Sequence, residues 1–410
     1  MSCMWIPGSI FRRKNILLGV TGSIAAFKAC NLASTLSKFD AHVRTILTAS
    51  ALHFVGPTSF VSLTNDTAYT DQDYWSSNIR SLHIELGRWA DVLVVAPATA
   101  NTLAKIANGF ADNLLTSTVL GCNKPLVLVP AMNVRMYENK ITQENLDKLR
   151  NLGCVVVEPE VGHLADGEVG KGRFPEIETI LFHIARAVVP QDLSGRNIVV
   201  TAGPTREYID EVRFISNPSS GKMGYALAQA LALRGADVTL LSGPVTLDAP
   251  QGVRLLQFES VSELTQLMEH FLPEADAVVM AAAVGDFTTE KREGKLRRQG
   301  ELTLTLKATP DVVGSFAAKY TKPVYVAFAA GGADVIKDAE EKLEHKHVDA
   351  IFANRIDTSQ TGFAVDTNSG WFVSKKRGVE EAPLQSKVDL AWWLSERIVW
   401  LIEAKSETSP

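Results

Sequence analysis

Several short segments gather side chains suited to binding an anion or a carboxylate. In the first half, Gly19-Val20-Thr21-Gly22-Ser23 follows an apolar run and puts two hydroxyls in a compact turn at a helix start. Unpaired N–H groups at such a start seat phosphate, although Ser and Thr there also serve as ordinary caps. Pro97-Ala98-Thr99-Ala100-Asn101-Thr102 is a second loop of hydroxyls and an amide. Pro130-Ala131-Met132-Asn133-Val134-Arg135-Met136-Tyr137 adds a further amide. In the second half, Arg213-Phe214-Ile215-Ser216-Asn217-Pro218-Ser219-Ser220-Gly221-Lys222-Met223-Gly224 ends in a Gly-Lys pair. It is not a P-loop, because Ser216 stands where the template needs Gly and Met223 where it needs Ser or Thr. Its Asn, Ser, Gly and Lys residues still suit an anion cradle. Lys342 and Lys346 share a helix face at i,i+4, as residues of a solvated surface also would.

These segments follow strand-like runs. Residues 15–20, 42–48, 91–96 and 125–130 are rich in Val, Leu and Ile, and 197–201, 237–242, 276–280 and 323–328 repeat the pattern. Continuous apolar runs of this length suit strands buried on both faces of a parallel sheet. Helical stretches, among them 98–120 and 221–234, separate them and imply right-handed crossovers. The fold class is α/β, with two doubly wound Rossmann-like parallel-sheet domains in tandem, 1–189 and 190–410. A Pro, polar residues and a Gly across 189–195 mark the boundary. In such sheets ligands sit at the carboxyl ends of the strands. The loops to watch are therefore 21–24, 97–101, 131–133, 203–206, 281–287 and 329–333. The tail beyond Val388, with Trp392, Trp393 and Trp400, reads as an amphipathic helix packed on the sheet.

With 410 residues, 46% of them hydrophobic and 21% charged, the chain reads as a globular enzyme of two or three domains. A formal net charge of −5 argues against nucleic acid as the main partner. Cys3, Cys30, Cys122 and Cys154 form no CxxC pair and have no His at metal-ligand spacing, as expected of reduced thiols in a cytoplasmic protein. No apolar run reaches the ~18 residues of a membrane span.

The first-half segments resemble the phosphopantothenoylcysteine decarboxylase flavoproteins. Residues 97–102 match that family's small polar loop, 130–137 its PxMNxxM substrate segment, and His83 stands where it has an active-site histidine. The resemblance implies FMN, with its phosphate near Gly22, Ser23, Thr48 and Ser50 and its ring near Ala98, Thr99 and Asn101. A carboxylate on the α-carbon of a cysteine amide lacks an electron sink. Flavin oxidation of the thiol to a thioaldehyde creates one, carbon dioxide departs, and reduced flavin returns the electrons to the ene-thiol. His83 would assist oxidation or hold substrate, and Asn133 would bind its carboxylate.

The second half resembles the phosphopantothenate–cysteine ligases. Thr201–Glu207 and Arg213–Gly224 match closely; Ala281–Asp286 matches an AAAV-x-D loop, and Thr309-Pro310-Asp311-Val312 matches an NPD segment with Thr for Asn. The resemblance implies that the carboxylate of 4′-phosphopantothenate attacks CTP, releasing pyrophosphate. Cysteine then takes the acyl group to give 4′-phosphopantothenoylcysteine. Asp286, Lys295, Thr309, Pro310, Asp311, Val312, Phe328, Lys342 and Lys346 would contact CTP. Lys295 and Mg²⁺ would neutralise phosphate charge, and Asn217 would stabilise the acyl intermediate; no metal ligand is identified. Bifunctional members of this family, with the decarboxylase first, make phosphopantetheine for coenzyme A and form homo-oligomers.

Three positions depart from the family. Asp166, in Gly162–Arg173, replaces a cysteine acid. At neutral pH a free thiol is protonated and a free Asp is not, and closing that difference takes about 4 kcal/mol. Asp166 is then a tuned acid, another group donates, or the half stops at the ene-thiol or serves as a degenerate flavin-binding or regulatory module. Gly331 stands where Glu is usual, and Arg355 where Asp is usual.

Overall fold

The structure, a computed structural model, describes residues 5–76, 81–164, 167–297, 300–332, 334–355 and 365–407. The chain divides into two compact units, Gly8–Pro190 and Gln191–Pro410, and the start of the chain belongs with the second. Trp5 shows why: its ring lies 5.7 Å from that of Tyr225, which is 1% exposed.

In the first unit the apolar runs form six parallel strands. Their spatial order is Ala68–Thr70, His42–Leu47, Asn15–Val20, Val92–Ala98, Leu126–Pro130 and Val155–Val156. Val92–Ala98 is buried at every position, which is why its sequence shows no polar alternation. The strand order reverses between Asn15–Val20 and Val92–Ala98, opening a crevice at their carboxyl ends. Residues 98–120 do not form one helix as their composition predicts. The strand continues through Ala98, and two helices follow, Ala100–Ala107 and Leu114–Gly121. Gly109, at φ 70°, ends the first, and Asn113 opens the second by accepting from Thr116 N while Thr116 Oγ1 accepts from Asn113 N. That capping box outweighs the continuous apolar pattern.

An acidic residue clamps strand starts in both units. The Asp91 carboxylate accepts from Asn15 N at 2.9 Å, Asp276 from Asn197 N at 2.9 Å, and Asp349 from Tyr325 N at 2.8 Å. Each bond fixes a register and hence the height of the loop at the strand's other end.

The second unit holds an eight-stranded sheet. Its order is Val253–Gln257, Asp237–Ser242, Asn197–Ala202, Ala277–Met280, Val324–Gly331, Ala350–Arg355, Thr367–Ser374 and Gly378–Ser386. The first six strands are parallel, and the last two form an antiparallel hairpin that the sequence reading did not contain. The tail is the helix Lys387–Ser406, packed on the sheet and on the helix Lys222–Leu233. Arginines cover its tryptophans: Arg234 lies 5.1 Å from the Trp392 ring and Arg377 4.2 Å from Trp400. Among the described residues no helix is long and apolar enough to cross a membrane.

Candidate functional sites

A cavity of about 920 Å³ opens at the crevice of the first sheet. Gly22, Ser23, Thr48, Ser50, Thr99, Asn101 and Asn133 all line it. Ala98, at 0% exposure, lies behind the lining. Thr21 ties two of the loops together: its hydroxyl donates to Pro97 O at 2.7 Å and accepts from Thr99 N at 3.1 Å. Gly22 permits a third loop to close in, since a Cβ there would sit 2.4 Å from Ser50 Cβ. The far wall is apolar, with Met132, Met136, Leu164 and Phe174, and Lys28, Lys105 and Arg173 bring positive charge. The Lys105 ammonium beside Asp112 holds that carboxyl below its usual range.

A flap covers one side, the antiparallel hairpin Glu160–His163 with Val169–Arg173. Met132 N donates to Gly172 O at 3.1 Å, and a side chain at Gly172 would strike Met132 O at 2.2 Å. Glu168 anchors the flap's tip. Asn133 Nδ2 donates to its carboxylate at 3.1 Å, and Arg135 reaches the other oxygen at 2.7 Å. Asp166 lies outside the described residues. His83 is not brought to this cavity: it sits on the helix Leu82–Trp89, its ring 5.5 Å from Tyr74, with Nδ1 buried and without a hydrogen-bond partner. A lone histidine's sequence position could not reveal that displacement.

The second cavity, about 500 Å³, lies at the strand ends of the second sheet. Asn217, Asp286, Thr309, Pro310, Asp311, Val312, Phe328, Lys342 and Lys346 line it together. Asn217 Nδ2 donates to Ala283 O at 3.3 Å and Val284 O at 3.2 Å. Both amide hydrogens are thus engaged, and the side chain offers its oxygen, an acceptor. Thr309, in place of the usual Asn, donates its hydroxyl to Gly285 O at 2.6 Å. Asp311 caps the helix Val312–Lys319 and pairs with Lys346 at 3.0 Å. Lys295 is exposed and outside the lining. The loop around it is held by Asp210, which accepts from Leu296 N at 3.1 Å. Residues 203–206, expected at the ligand, instead brace the sheet, where a side chain at Gly243 would meet Pro204 O at 1.9 Å. Gly331 and Arg355 are partners in parallel register, so the two departures fall side by side on the sheet.

Sequence reasoning missed Thr21's bracing role, the Glu168 anchor and, most consequentially, Lys387 and Asn368 of the C-terminal hairpin and helix. Both line the second cavity. Lys387 is 5% exposed; burial, and then the neighbouring Lys222 ammonium, push its amine down to about 8 despite Asp366. No motif marks either residue. The strand alternation of 367–374 was the available signal.

Residues 9–189 match the family described as Flavoprotein, and residues 193–401 match the DNA/pantothenate metabolism flavoprotein C-terminal domain. The chain is 40% identical to the coenzyme A biosynthesis bifunctional protein CoaBC of Bacillus subtilis (strain 168), over 98% of this chain and 100% of that protein. It is 39% identical to the protein of the same name from Haemophilus influenzae (strain ATCC 51907 / DSM 11121 / KW20 / Rd), over 94% of this chain and 97% of that one. Among solved structures, a C-terminal domain of a coenzyme A biosynthesis bifunctional protein CoaBC shares 32% identity, with a TM-score of 0.46, covering 52% of this chain and 99% of that one.

Proposed function

The chain belongs to the coenzyme A biosynthesis bifunctional family, uniting phosphopantothenoylcysteine decarboxylase and phosphopantothenate–cysteine ligase activities, and on that premise we propose how its residues divide the work. The observation that carries this reading is identity running through both halves, each with a cavity at its sheet's strand ends. It speaks against a first half reduced to a degenerate flavin-binding module.

The first cavity suits FMN. The Gly22–Ser23 turn and the Thr48 and Ser50 loop supply polar groups for a phosphate, and the Met132, Met136 and Phe174 wall is apolar enough for a ring. FMN, when bound, would supply the reversible two-electron sink that decarboxylation of a cysteine amide requires. Asn133 would hold the substrate's carboxylate. Its Nδ2 donates to Glu168, so binding exchanges one carboxylate acceptor for another. His83 is assigned no step at this chain's own cavity. Exposed Phe27 and Met136 at the lining support a homo-oligomer that covers the site.

In the second cavity, 4′-phosphopantothenate would attack the α-phosphorus of CTP. The P–O bond to pyrophosphate breaks, and an acyl-cytidylate forms. Cysteine's amine then attacks the acyl carbon and CMP leaves. Lys342 and Lys346 would face the nucleotide's phosphates. Asn217 Oδ1, an acceptor, would orient the incoming amine by taking one of its hydrogens. Among the described residues no three His, Cys, Asp or Glu side chains are grouped to hold a metal ion. Mg²⁺, when bound with the nucleotide, would supply charge neutralisation on its phosphates.

The test supplies phosphopantothenate, CTP and cysteine to the purified chain and follows pyrophosphate and, by mass spectrometry, the final thiol. Sustained pyrophosphate release should require all three, with about one equivalent per site formed from phosphopantothenate and CTP alone, and phosphopantetheine should accumulate. Pyrophosphate released from CTP without phosphopantothenate would overturn the ligase assignment. A product two mass units lighter would mean that Asp166 does not complete the reduction. Glu168→Ala, which releases both flap contacts, should slow carbon dioxide release about 10-fold with pyrophosphate release unchanged. Equal slowing of both would remove the flap's assigned role.

A further inference from the structure

Residues 281–286 form one wall of the second cavity, and side chains from three other segments fix their backbone. Thr201 Oγ1 accepts from Ala282 N at 3.1 Å, and Thr309 Oγ1 donates to Gly285 O at 2.6 Å. Asn217 Nδ2 donates to Ala283 O and Val284 O, and Thr205 Oγ1 accepts from Gly285 N at 2.9 Å.

The peptide unit that joins Val284 to Gly285 carries two of these bonds. In a planar trans peptide the C=O and the N–H point in opposite directions. Its carbonyl therefore meets Asn217 on one side, while its N–H meets Thr205 on the other. Turning the unit breaks both bonds together. The carbonyls of Ala283 and Val284 also decide which way the Asn217 amide lies, because reversing it would set Oδ1 against two acceptors. Thr205 thus holds the peptide, the peptide holds Asn217 Nδ2, and Oδ1 is left as the side chain's acceptor. A second tie runs alongside: Ser216 Oγ, one residue before Asn217, donates to Thr205 O at 2.7 Å.

Thr205 itself is 1% exposed and lies outside the cavity lining, so it reaches substrate only through these neighbours. Valine has nearly the same shape and would serve packing alone. A buried hydroxyl costs free energy unless it is bonded, and the bond made here is to the Gly285 N–H.

We propose that Thr205 is a positioning residue for amide formation, setting through the Val284–Gly285 peptide where Asn217 Oδ1 stands. This rests on the reading of Asn217 as the group that orients cysteine's amine, and adds what orients Asn217. Thr309 fastens Gly285 O and Asp286 O independently, so the nucleotide side of the loop keeps its anchor when Thr205 is changed. The attack on CTP is therefore spared, and the attack by cysteine is not.

Rapid mixing of the full chain separates the two steps. Phosphopantothenate and CTP alone give a pyrophosphate burst, and cysteine added afterwards gives the rate of amide formation. Thr205→Val should slow amide formation about 10-fold, as expected for one buried hydrogen bond, with the burst rate within about 2-fold. Thr205→Ser, which keeps the acceptor, should restore most of the loss. Thermal melting checks folding. If Thr205→Val does not fold, Thr205→Ala, which cannot crowd the Gly285 nitrogen, takes its place with the same expectation. Equal slowing of burst and amide formation would reduce Thr205 to a support of the fold and overturn the proposal. Unchanged rates in both steps, or no recovery in Thr205→Ser, would overturn it too. Amide formation at the unaltered rate in Asn217→Ala would strike the reading of Asn217 instead, and absence of the burst in the unaltered chain would strike the ligase reading.

Discussion

Gly22→Ala should leave the purified protein without its yellow flavin. The added Cβ would lie 2.4 Å from Ser50 Cβ and 3.0 Å from Ser50 C, so the clash is with a loop rather than with a flexible side-chain end. That loop has little freedom to retreat. Thr48 N donates to Val20 O at 3.1 Å, and Ala51 N to Thr48 O at 2.8 Å, which fastens both sides of Ser50 to the sheet end. Relief must come from spreading the two segments assigned to the phosphate, which pulls their donors out of range. Overpacking alone costs about 1–3 kcal/mol. With lost phosphate contacts, FMN affinity should fall at least about 100-fold, or roughly 3 kcal/mol. Flavin absorbance per mole of protein, as purified and on titration with FMN, measures the loss. Gly56→Ala, whose Cβ meets nothing within 4 Å, is the matched control and should bind normally. Normal stoichiometry and affinity in Gly22→Ala would remove the phosphate from this turn.

Much of this arrangement was legible because doubly wound sheets write themselves in apolar runs. Val92–Ala98 announces a strand covered on both faces, and the loops after such strands are where ligands sit. Gly22, Thr99 and Asn133 could be placed at a cavity on that logic alone, whereas Asn217 and Asp311 are placed by the family resemblance. Chain pairing that no local pattern records was not legible. Whether the Leu82–Trp89 helix turns His83 toward the cavity or toward Tyr74 depends on packing between elements distant in sequence. The two-helix break at Gly109 lost to an apolar pattern that reads as continuous. Lys387 was hidden for a different reason. A lysine at the start of a helix ordinarily reads as a solvated charge, and only the antiparallel hairpin Thr367–Ser374 with Gly378–Ser386 carries it to the cavity wall. Its cost is invisible until the burial is known.

That cost yields the second large effect, a pH dependence of stability with a definite sign. In the folded chain, burial and the Lys222 ammonium lower the Lys387 amine to about 8, Asp366 opposing them, while in the unfolded chain it returns to its ordinary 10.5. Below pH 8 both states carry the proton, and the folded protein bears the whole penalty, about 3 kcal/mol. Between 8 and 10.5 the unfolded chain holds more protons on this group, so its contribution to stability rises with pH. Above 10.5 both states are neutral and the penalty is gone. Lys387→Met should therefore be more stable relative to the unaltered chain at pH 7 than at pH 10, and the gap should narrow by about 3 kcal/mol as the amine titrates. Other groups cancel in the difference, so urea unfolding of both proteins at several pH values isolates this one. A gap independent of pH, or one that widens on the alkaline side, would mean that Lys387 is ordinary.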